Sequence, residues 1–275
     1  MNAAEGPWTN EGLGDVSVQV RARLERTARE VAAEWGVSLG EPYATGRSYT
    51  CRVGTDAVLK VVPAEDDEAD HEADALAFWN GDGAVRLLRH DRERRAILIE
   101  RAHPGSDASA LPDDEAARVA STVAVRLWRP AERNRPFRWI GDHVPGWLDQ
   151  AGDHELVPIA QDVYASLRVG AATLVHGDFH HHNLLRHGDR WVAIDPKPMV
   201  GEPEFDVPPF LWNPIGRLPT RESLERRIAA FAAGGLSAER IRKWAIVRGT
   251  YLGLPLRPGE KEEASEQLRT VRLLL

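Results

Sequence analysis

Residues 174–197 read Leu-Val-His-Gly-Asp-Phe-His-His-His-Asn-Leu-Leu-Arg-His-Gly-Asp-Arg-Trp-Val-Ala-Ile-Asp-Pro-Lys. Short apolar runs at Leu174–Val175, Leu184–Leu185 and Trp191–Ile194 alternate with polar, glycine-bearing segments. That pattern predicts three short strands whose ends present Asp178, Asn183 and Asp195. Gly177 and Gly188 supply the backbone freedom that tight turns demand.

A hard divalent cation such as Mg2+ prefers oxygen ligands and keeps waters and substrate phosphates in its shell. The amide oxygen of Asn183 and the carboxylate of Asp195 suit it. Asp178 is then left to face an attacking hydroxyl, the arrangement of kinase-type phosphoryl transfer. The run His180-His181-His182 raises zinc as a rival. Adjacent side chains do not converge on one ion without an unusual backbone, and no Cys or acid stands nearby at zinc-ligand spacing. With His176, these histidines read as hydrogen-bonding scaffold.

Composition bounds the rest. The 275 residues suffice for two lobes with sizeable cores. Thirty-five basic against 42 acidic residues leave a net charge of −7. That speaks against a nonspecific nucleic-acid binder and mildly for a cationic substrate. The single cysteine, Cys51, excludes a disulfide framework and reads as buried filler. No apolar run approaches a membrane span, and Met1–Gly14 has no signal-peptide pattern, so a cytoplasmic protein is expected.

Upstream, apolar residues Val20, Leu24, Ala28, Val31 and Trp35 predict an amphipathic helix. Strands are predicted over Leu39–Ala44, Ser48–Val53, Ala57–Val62, Ala84–Leu88 and Ala96–Glu100. The stretch Ala44-Thr-Gly-Arg-Ser48 is either a plain hairpin or a loop that covers phosphates. Lys60 stands in the apolar strand Val58-Leu-Lys-Val-Val62. It is an edge-strand surface group or a cation placed for phosphate, and a buried lysine needs a carboxylate. Glu72 and, one turn earlier, Glu68 are the candidates.

Downstream, Pro112-Asp-Asp-Glu115 reads as a helix start. Arg129–Arg138 is an ordered insertion anchored by Trp139, Trp147 and Leu148. Leu156, Ile159, Val163 and Leu167 mark a helix packed behind the catalytic strands. Helices are also expected from Val207, Leu224 and Arg240 and over Glu262–Leu275, with Trp244 and Tyr251 walling an acceptor pocket. Glu202 and Glu204 are read as solvated or substrate-facing acids.

The strings His176-Gly-Asp-Phe-His-His-His-Asn-Leu-Leu185, Ala193-Ile-Asp-Pro-Lys197, Gly201-Glu-Pro-Glu-Phe-Asp206 and Leu211-Trp-Asn-Pro214 resemble the aminoglycoside and hydroxyurea phosphotransferase family. Streptomycin 6-phosphotransferases are its best-known members. The resemblance runs from about Tyr43 to about Pro214. It implies an α+β, two-lobed protein-kinase-like fold. An N-terminal antiparallel sheet lobe with its leading helix, residues 1–101, would bind nucleotide. A larger helix-rich lobe, residues 102–275, would carry catalysis and the acceptor. By this resemblance Lys60 anchors the nucleotide phosphates with Glu72 as its partner, and backbone groups of Glu100 and Ala102 meet the base. Asn183 and Asp195 hold Mg2+, Asp178 acts on the acceptor hydroxyl, and Asp206 braces the catalytic loop.

The implied reaction moves the γ-phosphoryl of ATP, with GTP the alternative donor, to a hydroxyl of a cationic aminoglycoside, streptomycin's 6-hydroxyl being favoured. A monomer is expected. A kinase for a sugar, amino sugar or other small hydroxyl metabolite is the second reading. A nucleotide-binding regulator without catalysis is the third, and the intact Lys60, Asp178, Asn183 and Asp195 argue against it. Phe179 and His182 depart from the family's usual Leu and Gly. His182 puts the loop's shape in question if that backbone needs positive φ. Lys197 is placed either to touch phosphate or to form a salt bridge.

Overall fold

The computed structural model describes residues 13–133, 136–214, 216–254, 256 and 265–275. It opens on helix α1 (Leu13–Trp35). Leu24, Ala28 and Val31 recur on one face at the expected spacing and are buried. Residues 1–12 lie outside the described part.

Strands β1 (Leu39–Pro42), β2 (Tyr49–Val53) and β3 (Ala57–Val61) follow, then helix α2 (Glu72–Trp79) and strands β4 (Leu87–Asp91) and β5 (Ala96–Glu100). The five strands form one antiparallel sheet in the order β1-β2-β3-β5-β4. The pleat of β3 sets up the site, because successive side chains leave a strand on opposite faces. Leu59 and Val61 pack with Leu24, Ala28 and Cys51 on the α1 side. Val58 packs instead with the cluster holding Ala73, Leu76 and Trp79 of α2. Lys60 shares the face of Val58 and so looks toward α2. Cys51 is fully buried, as filler should be.

The strand expected over Ala84–Leu88 begins only at Leu87. The residues before it turn to the other lobe, where the Val85 N–H donates to the Ala193 carbonyl at 3.1 Å. The crossover between the lobes contains a strand the sequence did not announce, β6 (Pro104–Asp107).

The second lobe continues through α3 (Asp113–Leu127), β7 (Arg129–Pro130), β8 (Arg138–Trp139), α4 (Ile140–Gln150) and α5 (Leu156–Leu167). Next come β9 (Thr173–Val175), β10 (Leu184–His187), β11 (Arg190–Ala193) and β12 (Met199–Gly201). The chain ends on α6 (Pro208–Trp212), α7 (Arg221–Ala233), α8 (Ala238–Gly253) and α9 (Glu266–Leu274). The strands make two small sheets, β11-β10-β6 and β7-β9-β12-β8.

Three acids, Asp113, Asp114 and Glu115, fill the first turn of α3, where the helix dipole favours negative charge. Thr220 and Ser237 cap α7 and α8 through their hydroxyls. The insertion is tied down by Arg138, which donates to Asp67 at 3.0 Å, and by the Arg133 guanidinium over the Trp139 ring; residues 134–135 fall outside the described part. Two details differ from expectation. On α5 the buried side is Leu156, Val157, Ala160 and Leu167, and Ile159 is 39% exposed. Of the expected last helix, residues 262–264 lie outside the described part and α9 begins at Glu266.

The outcome is the expected α+β architecture: an antiparallel sheet with its helices, then a helix-rich lobe with short strands at its centre. No helix among the described residues is long and apolar enough to cross a membrane.

Candidate active site

The loop between β9 and β10, residues 176–183, is held by groups from distant parts of the chain. The fully buried Asp206 accepts the His176 N–H at 2.7 Å, the Gly177 N–H at 2.6 Å and the Trp128 Nε1–H at 3.0 Å. This is the brace the resemblance implies. Arg248 of α8 donates to the Gly177 carbonyl at 2.9 Å and to the Phe205 carbonyl at 2.7 Å. Gly177 has φ +83°, and a Cβ there would lie 1.9 Å from the Lys197 carbonyl oxygen. Only glycine meets both demands. His176 is scaffold: its Nε2 lies 2.9 Å from the Ile194 carbonyl, its Nδ1 accepts the Asp178 N–H, and burial lowers its pKa.

The next histidines diverge. His180 Nε2 sits 3.5 Å from Asp178. His181 is buried and stacks on Phe210 with centroids 3.9 Å apart, and burial pushes its pKa down to about 2. His182 turns to Asp107 at 3.0 Å. Three imidazoles with three separate partners do not make a zinc cage. The doubt over His182 resolves as well. It lies in a 3-10 turn, His181–Asn183, and is absent from the residues with positive φ. Apart from glycines, the left-handed residue of this region is Asp195, at φ 56°.

Asp178 and Asn183 meet across the loop. Asn183 Nδ2 donates to the Asp178 carbonyl at 2.9 Å and approaches its carboxylate at 3.4 Å. Burial opposes the charge on Asp178, but His180 and Lys197 outweigh it and hold the carboxyl well below its ordinary range.

From the other lobe, Lys60 donates to Glu72 at 2.7 Å and to Asp195 at 2.5 Å. Glu72 is therefore the partner, and Glu68 goes elsewhere, to Arg47 at 3.2 Å and Lys197 at 3.3 Å. Lys60 and Glu72 are both buried. Burial alone would discharge the lysine, yet Asp195 and Glu72 reverse the direction and raise its pKa. Burial works against the Asp195 carboxylate too, and Lys60 with Lys197 still brings it down to about 2. Replacing Lys60 with Met removes the cation that bonds both carboxylates and leaves only the more distant Lys197 to offset them. Nucleotide affinity and turnover should then fall about 100-fold together, read by calorimetry and steady-state kinetics. Unchanged affinity would remove Lys60 from phosphate binding.

The donor set fits magnesium. Asn183 spends its amide nitrogen on Asp178, which orients the amide and presents its oxygen. Asp195 is a carboxylate with 44% of its side chain exposed. One amide oxygen and one carboxylate, with phosphates and water completing the shell, is a common way to bind this ion. Among the described residues no cage of three His, Cys, Asp or Glu side chains forms.

A cleft opens beside the loop, lined by Gly177, Lys197, Glu68, Tyr251 and Trp147 among others. Tyr251 lines this cleft. Trp244 does not: it is fully buried and donates to Glu202 at 2.9 Å. Glu202 and Glu204 are likewise not substrate-facing. Glu202 is buried against Arg240 and Trp244, and Glu204 accepts the Ser237 N–H at 3.1 Å. At the crossover, the Glu100 N–H donates to the Arg86 carbonyl at 2.8 Å, so a base contact there would fall to its carbonyl oxygen. The Glu100 side chain pairs with Arg86 and His187, and Ala102 is buried.

A two-lobed fold with a lysine–glutamate pair in the sheet lobe and an Asp, Asn, Asp set in the helical lobe is the framework of a kinase. The solved choline kinase LicA from Streptococcus pneumoniae shares this fold, with a TM-score of 0.65 and 13% identity over 92% of this chain and 99% of that one. Residues 35–254 match the model of the aminoglycoside/hydroxyurea antibiotic resistance kinase family, and the chain belongs to that family. The hydroxyurea phosphotransferase of Kitasatospora aureofaciens is 32% identical over 244 residues, 80% of this chain and 69% of that one. The streptomycin 6-kinase of Streptomyces glaucescens is 34% identical over 218 residues, 70% of this chain and 69% of that one.

Proposed function

We propose that this kinase transfers the γ-phosphoryl of ATP to a hydroxyl of an aminoglycoside, with the 6-hydroxyl of streptomycin as the favoured acceptor. The observation that carries the reading is the convergence of Lys60, Asp195, Asn183 and Asp178 on one site in a member of this family. Lys60, fixed by Glu72, holds the inner phosphates. Asn183 and Asp195 would hold Mg2+, which supplies charge neutralisation at the phosphates when bound. The Glu100 carbonyl and the Ala102 N–H would meet the base, and GTP stands as a second donor. The reading places the protein in the cytoplasm, where nucleotide is available.

Asp178 orients the acceptor hydroxyl. Its depressed pKa makes it a weak base. That suits a loose transition state, in which the phosphorus–oxygen bond to ADP is largely broken before the hydroxyl proton leaves. The catalysis is then mostly positioning and electrostatics.

One observation favours a second acceptor class, a small neutral hydroxyl compound such as hydroxyurea. Both carboxylates of the cleft are already matched, Asp67 by Arg138 and Glu68 by Lys197 and Arg47. A cleft so compensated attracts cations less than the protein's net charge suggests. The test is acceptor-dependent ADP release with a panel of aminoglycosides, sugars and hydroxyurea. Release with streptomycin supports the first reading, and release with hydroxyurea alone supports the second. In either case chelating the divalent metal should stop turnover, and Mg2+ should restore it; full activity in excess chelator would refute the metal assignment.

A further inference from the structure

Lys197 stands two residues after Asp195 and lines the cleft beside the catalytic loop. Its backbone is locked to that loop: its N–H donates to the His176 carbonyl at 2.7 Å, and its carbonyl fills the space a Gly177 side chain would need. Its ammonium meets Glu68 Oε2 at 3.3 Å, and the same oxygen takes Arg47 at 3.2 Å. One carboxylate oxygen thus gathers a cation from the loop between β1 and β2 and a cation from the second lobe. Only 19% of the Lys197 side chain is exposed. Lys60 is already committed on the nucleotide side, between Glu72 and Asp195. The mechanism above gives Lys197 no contact with the nucleotide.

We propose that Lys197 is a second phosphate-facing cation, which leaves Glu68 for the transferring γ-phosphoryl when ATP is bound. The inference rests on the kinase reading and adds a catalytic residue to it. Charge in the transition state spreads over the three equatorial oxygens of the phosphoryl group, so cations on more than one side lower the barrier. Lys60 serves the inner phosphates. Lys197 lines the cleft two residues beyond Asp195, on a side of the site that Lys60 does not serve. A lysine ammonium is a compact charge on a flexible stem and re-aims readily. Glu68 keeps Arg47 on the same oxygen when Lys197 leaves, so the exchange strands no charge, and a phosphate dianion offers Lys197 the stronger partner. Lys197 forms no covalent bond. The bond from phosphorus to the acceptor oxygen forms as the bond to ADP breaks, and the hydroxyl proton leaves on the Asp178 side.

The test separates the γ-phosphate from the rest of the nucleotide. Lys197→Met is titrated by calorimetry with Mg-ADP and with a non-hydrolysable Mg-ATP analogue, alongside steady-state turnover. Analogue affinity should fall about tenfold while ADP affinity stays within about twofold, and kcat should fall about 100-fold. Lys197→Arg should recover part of both losses. Equal changes for the two nucleotides, or an unchanged analogue affinity, would reduce Lys197 to a structural salt bridge and overturn the proposal. If Lys197→Met fails to fold, Glu68→Gln answers the same question. It frees Lys197 and should strengthen the analogue over ADP by a few-fold, and no such difference would also overturn the proposal. The binding arms need no acceptor, so they remain readable if the acceptor assignment fails.

Discussion

Asp178→Asn is expected to lower kcat about a thousandfold and to leave nucleotide affinity unchanged. The substitution keeps the shape of the side chain. It also keeps the loop, because Asn183 bonds chiefly to the Asp178 backbone carbonyl, at 2.9 Å against 3.4 Å for the carboxylate. What it removes is the negative charge that orients the hydroxyl and receives its proton. An amide has no charge to offer and presents a donor where an acceptor is needed. Nucleotide binding should survive, because the phosphate anchor Lys60 bonds to Glu72 and Asp195 and not to Asp178. Steady-state kinetics with ADP titration reads both quantities. Turnover within a few-fold of wild type would take Asp178 out of its role, and a parallel loss of affinity would make its effect structural.

Asp206→Ala should destabilise the protein by about 3–5 kcal/mol and silence it as well. Asp206 is fully buried, and its two oxygens take three donors, the N–H groups of His176 and Gly177 and the Trp128 indole. Alanine would strand all three. Each buried donor left without a partner costs about 1–3 kcal/mol, and bonds to a carboxylate are at the stronger end. The two backbone N–H groups lie immediately before Asp178, so the loop should lose its shape even where the domain holds. For a chain of this size the melting temperature should drop by roughly 10 °C. Asp206→Asn keeps one acceptor oxygen and should fall between wild type and Ala. An Asp206→Ala protein that melts with wild type would refute the brace.

The legible parts of the site were those written locally. Asp178, Asn183 and Asp195 sit within one stretch, and the apolar runs around them became strands β9, β10 and β11. Lys60 was legible as a charge in an apolar strand. The choice of Glu72 over Glu68 needed the resemblance, because both lie on the segment that follows.

Where the sequence misled, the deciding partner lay far along the chain. The strand β6 was hidden because Pro104 and Gly105 are poor strand formers and its partner β10 is some 80 residues away. Glu202 and Glu204 look like loop acids until α8 and its cap bring Arg240, Trp244 and Ser237 to them. Trp244 was drawn away from the cleft by the same contact. His182 aroused suspicion by replacing glycine, yet strained backbone lies at Asp195, whose residue type tolerates left-handed φ and so gives no signal.

The central claim is that this site moves a phosphoryl group to an aminoglycoside hydroxyl. Mass spectrometry of streptomycin incubated with the protein, ATP and Mg2+ tests it most directly, with fragmentation to locate the modified hydroxyl. The account predicts a product heavier by one phosphate, carried on the 6-hydroxyl, and absent with Asp178→Asn over the same time. Streptomycin and the other aminoglycosides recovered unmodified, from protein that binds ATP, would contradict it.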